Sequence, residues 1–228
     1  MVTSDWEEMD YAVADRAPQG WRAGDEPSAA SDEEALASWP CAGYTAAPEE
    51  SMSDSTPAGA ARVELDFWQS VPELLERMRS GGVLCTVVDR SGKANVLTLG
   101  WGLLGPHYHT RPILVIAVAP PRYSWRFLEE TGEFVIAVPG DSGTAAADLC
   151  GTRSGRDLDK FEAAGLTKVR SAHVAAPSIR ECPVNVECAT YTRVSPPHLL
   201  LTPEHRRRPV EEQHTIYFAE VLGTYRYD

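Results

Sequence analysis

The stretch NVLTLGWGLLG, residues 95–105, admits two opposed readings, and the choice between them sets the fold. Its second half, Gly100-Trp101-Gly102-Leu103-Leu104-Gly105, satisfies G-x-G-x-x-G and follows a strand-like run, as a dinucleotide-binding turn would. That turn also needs a helix to begin at its glycines and an acidic side chain about 20 residues on to hold a ribose. Pro106-His107-Tyr108-His109 follows instead, and no strand-helix-strand unit is visible around it. The nucleotide-binding reading fails on context, and residues 95–101 read as a plain strand.

The neighbouring segments extend this reading. Residues 83–88 and 95–101 are strand-like runs joined by Asp89-Arg90-Ser91-Gly92-Lys93, which suits a hairpin connection. Residues 113–118 are apolar throughout, as expected of a strand buried on both faces, and 133–138 form a further strand. Two long strands, 183–194 and 214–226, close the chain. Helices are few and short. Trp68, Val71, Leu74, Leu75 and Met78 repeat at helical spacing before a stop at Gly81-Gly82, so a helix is expected over 68–79. Shorter ones are expected over 122–131, 144–149 and 157–164, the last with Asp157 as its N-cap. Many strands with little helix imply a mainly β fold with short helices, an antiparallel and Greek-key-like barrel.

Charge divides the chain. Residues 1–60 hold 13 acidic side chains against Arg16 and Arg22, a net of −11, while residues 61–228 are near neutral. The segment 1–60 reads as an acidic extension, and 61–228 as the folded domain. A low-hydrophobicity segment cannot bury enough apolar area to offset the entropy of ordering, so the extension is expected to be mostly flexible. Its rings, Trp6, Tyr11, Trp21, Trp39 and Tyr44, leave docking open as the alternative. An acidic surface excludes nucleic acid as the expected partner, because phosphate binding needs a positive footprint. No apolar run is long enough for a membrane span and no signal-like segment opens the chain, so a soluble cytoplasmic protein is expected. The five cysteines are scattered without a C-x-x-C pair and read as free thiols.

Several residues could carry chemistry. Arg122 and Ser124, at one end of an expected helix, could hold an anion with a guanidinium, a hydroxyl and backbone N–H groups. Asn95, Leu97 and Trp101 share one face of a strand and Thr98 lies on the other. Trp101 is either a stacking wall or barrel packing. Gly151 and Gly155 permit close backbone approach, and Lys160 could place a cation near a phosphate; Phe161 is as readily core. His107 and His109 could begin a metal site, but no third and fourth ligands are near in sequence, and no metal is expected.

Three blocks, NVLTLGW (95–101), PPRYSW (120–125) and CGTRSGRDLDKF (150–161), with CPVNVEC (182–188) and HTIYFAEV (214–221), resemble in order and spacing the flavin reductase-like family. The resemblance covers about residues 83–227 and implies the FMN-binding split β-barrel of flavoredoxin and NAD(P)H:flavin oxidoreductase type, as a homodimer. It implies a flavin site of Asn95, Leu97, Thr98, Trp101, Arg122, Tyr123, Ser124, Gly151, Ser154, Arg156, Lys160 and Phe161. His107, His109 and His214 fall on the substrate or nicotinamide side. FMN is the implied cofactor, with FAD possible and NADH or NADPH as donor. The implied reaction is hydride transfer to flavin, with reduced flavin or electrons passed to a partner such as a flavin-dependent monooxygenase or halogenase. A specialised FMN- or metabolite-binding enzyme, or a non-catalytic flavin- or tetrapyrrole-binding protein, are the alternatives on the same fold. Cys182, Asn185, Glu187 and Cys188 read as structural. The connection 195–213 is longer than the family's, and its Arg206-Arg207-Arg208 run poses either a lid with the acidic extension or two separate solvated charge runs.

Overall fold

The computed structural model describes residues 62–107 and 111–227. The chain divides into two units, Met1–Tyr44 and Thr45–Asp228, and every described residue lies in the second. The expected acidic extension, with its rings and Cys41, lies outside the described residues, as does the proposed lid between extension and loop.

Among the described residues ten strands and four α-helices follow in order: β1 (Arg62–Glu64), α1 (Phe67–Ser80), β2 (Val83–Val88), β3 (Ala94–Leu99), β4 (Leu103–Gly105), β5 (Ile113–Val118), α2 (Trp125–Thr131), β6 (Glu133–Val138), α3 (Thr144–Thr152), α4 (Lys160–Ala163), β7 (Lys168–Val169), β8 (Ser178–Ile179), β9 (Val184–Val194) and β10 (Thr215–Tyr227). The main sheet has the order β3-β2-β6-β9-β10-β5-β4, with β1 on β10, and every pair is antiparallel. β7 and β8 form a separate two-stranded ribbon.

Alternate side chains explain how this sheet encloses a core. Val83, Cys85 and Val87 of β2 join one buried cluster with Leu114, Ile116 and Val118 of β5, although β6, β9 and β10 separate the two strands in the sheet. Phe134 and Ile136 of β6, Val184 and Val186 of β9, and Tyr217 and Ala219 of β10 enter the same cluster at period 2. One face of the sheet therefore curls around a single core, which α1 closes with Phe67, Leu74 and Met78. Asp66 caps α1 by accepting from the Gln69 N–H at 3.0 Å. Gly82, at φ 93°, turns the chain into β2, where a Cβ would lie 2.5 Å from the Thr98 methyl; only glycine fits.

The opposite face carries a second layer. Leu84, Val96 and Ala137 pack there against Ala147 and Cys150 of α3, Phe161 of α4, and Ile179 and Cys182. Asn185 is fully buried beneath them; its Oδ1 accepts from the Ile179 N–H at 2.8 Å and its Nδ2 donates to the Cys182 carbonyl at 3.0 Å. Cys85, Cys150, Cys182 and Cys188 are buried free thiols.

Several element bounds differ from expectation. The strand expected over 95–101 ends at Leu99, so Trp101 leaves the strand face it was grouped with. The GLLG half of the opening stretch contains strand β4, hydrogen bonded to β5, and no helix. α2 begins at Trp125 rather than 122, because the Arg122 N–H is used in a turn to Ala119 and the Trp125 N–H bonds the Arg122 carbonyl. α4 is capped by Asp159, not Asp157. The Asp157 N–H is held by the Ser154 carbonyl in a turn, and the Asp159 carboxylate takes the Phe161 N–H at 2.8 Å.

Candidate flavin site

The sequence-predicted residues fall into three groups. The first is built where β3, the turn before α2 and the loop after α3 meet. Asn95, 4% exposed, donates from Nδ2 to the buried Ser124 Oγ at 2.8 Å. Gly155 lies against this pair: a Cβ there would be 2.2 Å from Asn95 Oδ1 and 3.0 Å from the Tyr123 ring. Tyr123 is ringed by cations. Arg126 lies over its ring at 4.5 Å and donates to its hydroxyl at 2.8 Å, Arg156 lies at 5.1 Å, and Lys93 Nζ is 3.3 Å from the hydroxyl. Ser154 braces the same loop, its Oγ accepting from the Arg156 N–H at 3.2 Å.

The second group lies under α3 and α4. Thr98 Oγ1 donates to the Ala147 carbonyl at 2.5 Å, and Gly151 brings its backbone so near that a Cβ would be 3.2 Å from Thr98 Cβ. Lys160 is 5% exposed and its Nζ donates to the Cys150 carbonyl at 2.6 Å. Burial holds its ammonium below the usual lysine range; the Cys150 thiol pulls the other way and the Arg122 charge adds to the lowering. Burial pushes the Cys150 thiol up to about 11, with Lys160 opposing. Among the described residues neither Lys160 nor Arg122 is in an ion pair.

Trp101 and His214 form the third group, their rings edge to face at 6.5 Å. Both border an open cleft of about 160 Å³ between the end of β3 and the connection 195–213. Burial, then Arg208 and Arg122, hold the His214 imidazole below its usual range. Arg122 is thus the hinge of the arrangement, its charge reaching Lys160 on one side and His214 on the other.

A family model described as the flavin reductase like domain matches residues 75–226. The chain belongs to the flavin reductase-like family. An uncharacterized protein of Archaeoglobus fulgidus is 36% identical over 136 residues, 60% of this chain and 67% of that one. An uncharacterized protein of Pyrococcus abyssi is 33% identical over 106 residues, 46% and 59% of the two chains. This chain thus spans 67% and 59% of the length of these two curated relatives. Among solved structures, flavoredoxin of Desulfovibrio vulgaris superposes with a TM-score of 0.51 at 24% identity over 63% of this chain and 67% of that one. An FMN-binding domain of a flavin reductases-like enzyme from Shewanella baltica gives 0.52 at 17%, covering 73% and 78%. The NADH:FAD oxidoreductase of Streptomyces globisporus gives 0.50 at 20%, covering 72% and 87%. The fold is the FMN-binding split β-barrel of this family, and the curled antiparallel sheet is its physical form.

Within that barrel some expected site residues do not present side chains to an open site. Leu97 packs against the main core and Phe161 is buried in the second layer, with Lys168 above its ring at 5.2 Å. Period 2 on β3 turns both Asn95 and Leu97 to the core side, and only the polar one meets the loop that covers the strand. Trp101 is 50% exposed and is a wall of the cleft, not barrel packing. His107 stacks on Tyr191 at 5.5 Å and is not part of the cleft lining. His109 lies outside the described residues, and the metal reading of His107 and His109 with it; among the described residues no His, Cys, Asp or Glu cluster has metal-binding geometry. Lys93 and Arg126 were missed, because a hairpin and a helix bring their charges to the Tyr123 ring only in the folded chain. No helix among the described residues is long and apolar enough to cross a membrane.

Proposed function

We propose that this chain is an FMN-binding oxidoreductase that moves hydride from NAD(P)H to flavin and passes reduced flavin or electrons to a partner, such as a flavin-dependent monooxygenase or halogenase. One observation carries the reading: Lys160 is a buried ammonium near the exposed Arg122, and among the described residues no carboxylate pairs with either. An ionised group is buried at high cost unless paired, so a dianion such as the FMN phosphate is the missing partner. The donor set fits that group, because Lys160 uses one of its three N–H donors on Cys150 and Arg122 presents its guanidinium to solvent. When bound, flavin supplies the two-electron carrier and the protein supplies position and electrostatics.

The chain's residues then have separable tasks. Arg122 and Lys160 bind the phosphate. Gly151 of α3 and Gly155 of the loop after it let the backbone approach β3, where peptide groups can read the polar edge of the ring system. Asn95 and Ser124 hold each other and fix the turn that carries Arg122. Trp101 and His214 border the side on which nicotinamide or another partner enters. Burial, then Arg208 and Arg122, hold the His214 imidazole below its usual range, which favours its neutral form, a polar group without a competing charge. A homodimer is part of this proposal, supported by the exposed Leu103 on the edge strand β4 and the exposed Tyr191 and Val194 on β9.

Arg122→Ala tests the assignment. It is expected to weaken FMN binding by about 1.5–3 kcal/mol, the worth of a charge-assisted bond, with an unchanged far-ultraviolet spectrum. An unaltered FMN dissociation constant would remove Arg122 from the site.

A further inference from the structure

The cleft beside Trp101, on the side proposed for nicotinamide or another partner, is lined by neither Arg122 nor Lys160, where the phosphate is placed. Its walls are of two kinds. Trp101, Leu200 and Ile216 are apolar, whereas His205, Arg208 and His214 converge from the polar side, and no carboxylate among the described residues borders it. The long connection is tied in place by its own polar groups. The His198 N–H donates to Gln213 Oε1 at 2.7 Å, the His198 ring meets the His214 carbonyl at 2.7 Å, and Arg206 Nε donates to the Leu200 carbonyl at 3.1 Å. Arg208 differs from Arg206: among the described residues its guanidinium has no hydrogen bond or ion pair, and its charge acts on His214.

Size and chemistry narrow the ligand. The volume of about 160 Å³ is close to the ~150 Å³ of an enclosed apolar cavity that takes benzene, so the open cleft has room for one ring with a small substituent. A whole nucleotide would be enclosed only in part, and inorganic phosphate would leave the indole and Leu200 without a partner. A guanidinium without a counter-ion at the edge of an apolar cleft selects a planar anion that it can hold with two parallel bonds.

We propose that this cleft is a binding site for a single-ring aromatic carboxylate, with its ring against Trp101 and Leu200 and its carboxylate on Arg208. The site adjoins Arg122 and His214, so the ligand lies next to the flavin assigned above. That reading bears on what the ligand does, and the binding site itself stands without it.

The test titrates benzoate and benzyl alcohol separately into the full-length protein, followed by calorimetry and tryptophan fluorescence. Benzoate is expected to bind one to one and at least tenfold more tightly than benzyl alcohol. Arg208→Gln, on an exposed stretch of loop, is expected to erase that preference by weakening benzoate at least tenfold and leaving benzyl alcohol unchanged. Trp101→Ala is expected to weaken both. Equal binding of the two compounds, benzoate affinity unmoved by Arg208→Gln, or benzoate affinity unmoved by Trp101→Ala would each overturn the proposal. FMN titration of the Arg208→Gln protein separates the two claims. Loss of the benzoate preference with FMN binding intact supports the cleft as a site of its own, and loss of both would overturn its independence from the flavin site. Wild-type protein that takes benzoate but no FMN would sink the flavin reading alone.

Discussion

Lys160→Met is expected to weaken FMN binding by roughly 30- to 100-fold, about 2–3 kcal/mol, while changing the stability of the flavin-free protein by less than about 1 kcal/mol. The two expectations have one cause. In the flavin-free chain the ammonium is 5% exposed and has the Cys150 carbonyl but, among the described residues, no opposite charge. Removing it costs one hydrogen bond and relieves the desolvation of a charge, and those effects oppose each other. With a phosphate present the same ammonium gains the counter-charge that burial demands, and the variant loses that gain entirely. Thermal melts without flavin and a fluorescence titration with FMN measure the two halves. A variant that loses several kcal/mol without flavin yet binds FMN normally would make Lys160 a structural lysine and remove it from the site. Combined with Arg122→Ala the losses should fall short of additive, because the two cations already influence one another.

The second large effect concerns the frame. Glu187 is fully buried on β9, and its carboxylate accepts from the Ala172 N–H at 2.9 Å and the His173 N–H at 2.7 Å. Glu133, half-buried at the start of β6, takes the Ala175 N–H at 2.6 Å, so two acids hold the segment leading to β8. Glu187→Ala removes two charge-assisted bonds and leaves their donors without partners, with an expected loss of about 3–4 kcal/mol. For a domain of this size that lowers the melting temperature by roughly 10 °C. Burial raises the proton affinity of Glu187 in the fold, although the two N–H donors, His173 and Arg62 oppose it. A carboxyl whose folded value lies above its unfolded one contributes most below the ordinary carboxylate range, and that contribution is lost as pH rises through the folded value. The cost of Glu187→Ala should therefore be larger at pH 5 than at pH 8. Urea unfolding at the two pH values checks both magnitude and sign; a cost below about 1 kcal/mol at either would show that the segment finds other anchors.

These residues also show what the chain discloses before it folds. β2, β3, β5 and β6 were legible because each alternates or runs apolar between strong turn signals, and the hairpin at Asp89–Lys93 forms as its Gly and Asp require. Glu187 and Asn185 were legible as structural, since both sit at buried positions of an otherwise apolar strand. The reach of the strand into Trp101 was not legible: Gly100 ends the pairing, and only the backbone path shows that the indole leaves the β3 face and meets His214. The cap of α4 was ambiguous because Asp157 and Asp159 both precede an apolar turn, and the choice is made by the Ser154 carbonyl, which engages Asp157 first. The cations around Tyr123 could not be grouped at all, as Lys93, Arg126 and Arg156 come from a hairpin, a helix and a loop that the fold alone brings together. Motif order identified the family; side-chain direction shows which members of the motifs, like Leu97 and Phe161, fill the core.

The central claim is that this barrel holds flavin and exchanges electrons with a nicotinamide. Its most direct test is an anaerobic absorbance titration of the full-length protein, first with FMN and then with NADH and NADPH in separate runs. The expected result is a perturbed visible flavin band on FMN addition, saturating at one flavin per chain, then bleaching under at least one of the two nucleotides. A flavin spectrum unchanged by the protein, or a bound flavin that stays oxidised under both nucleotides, would contradict the claim.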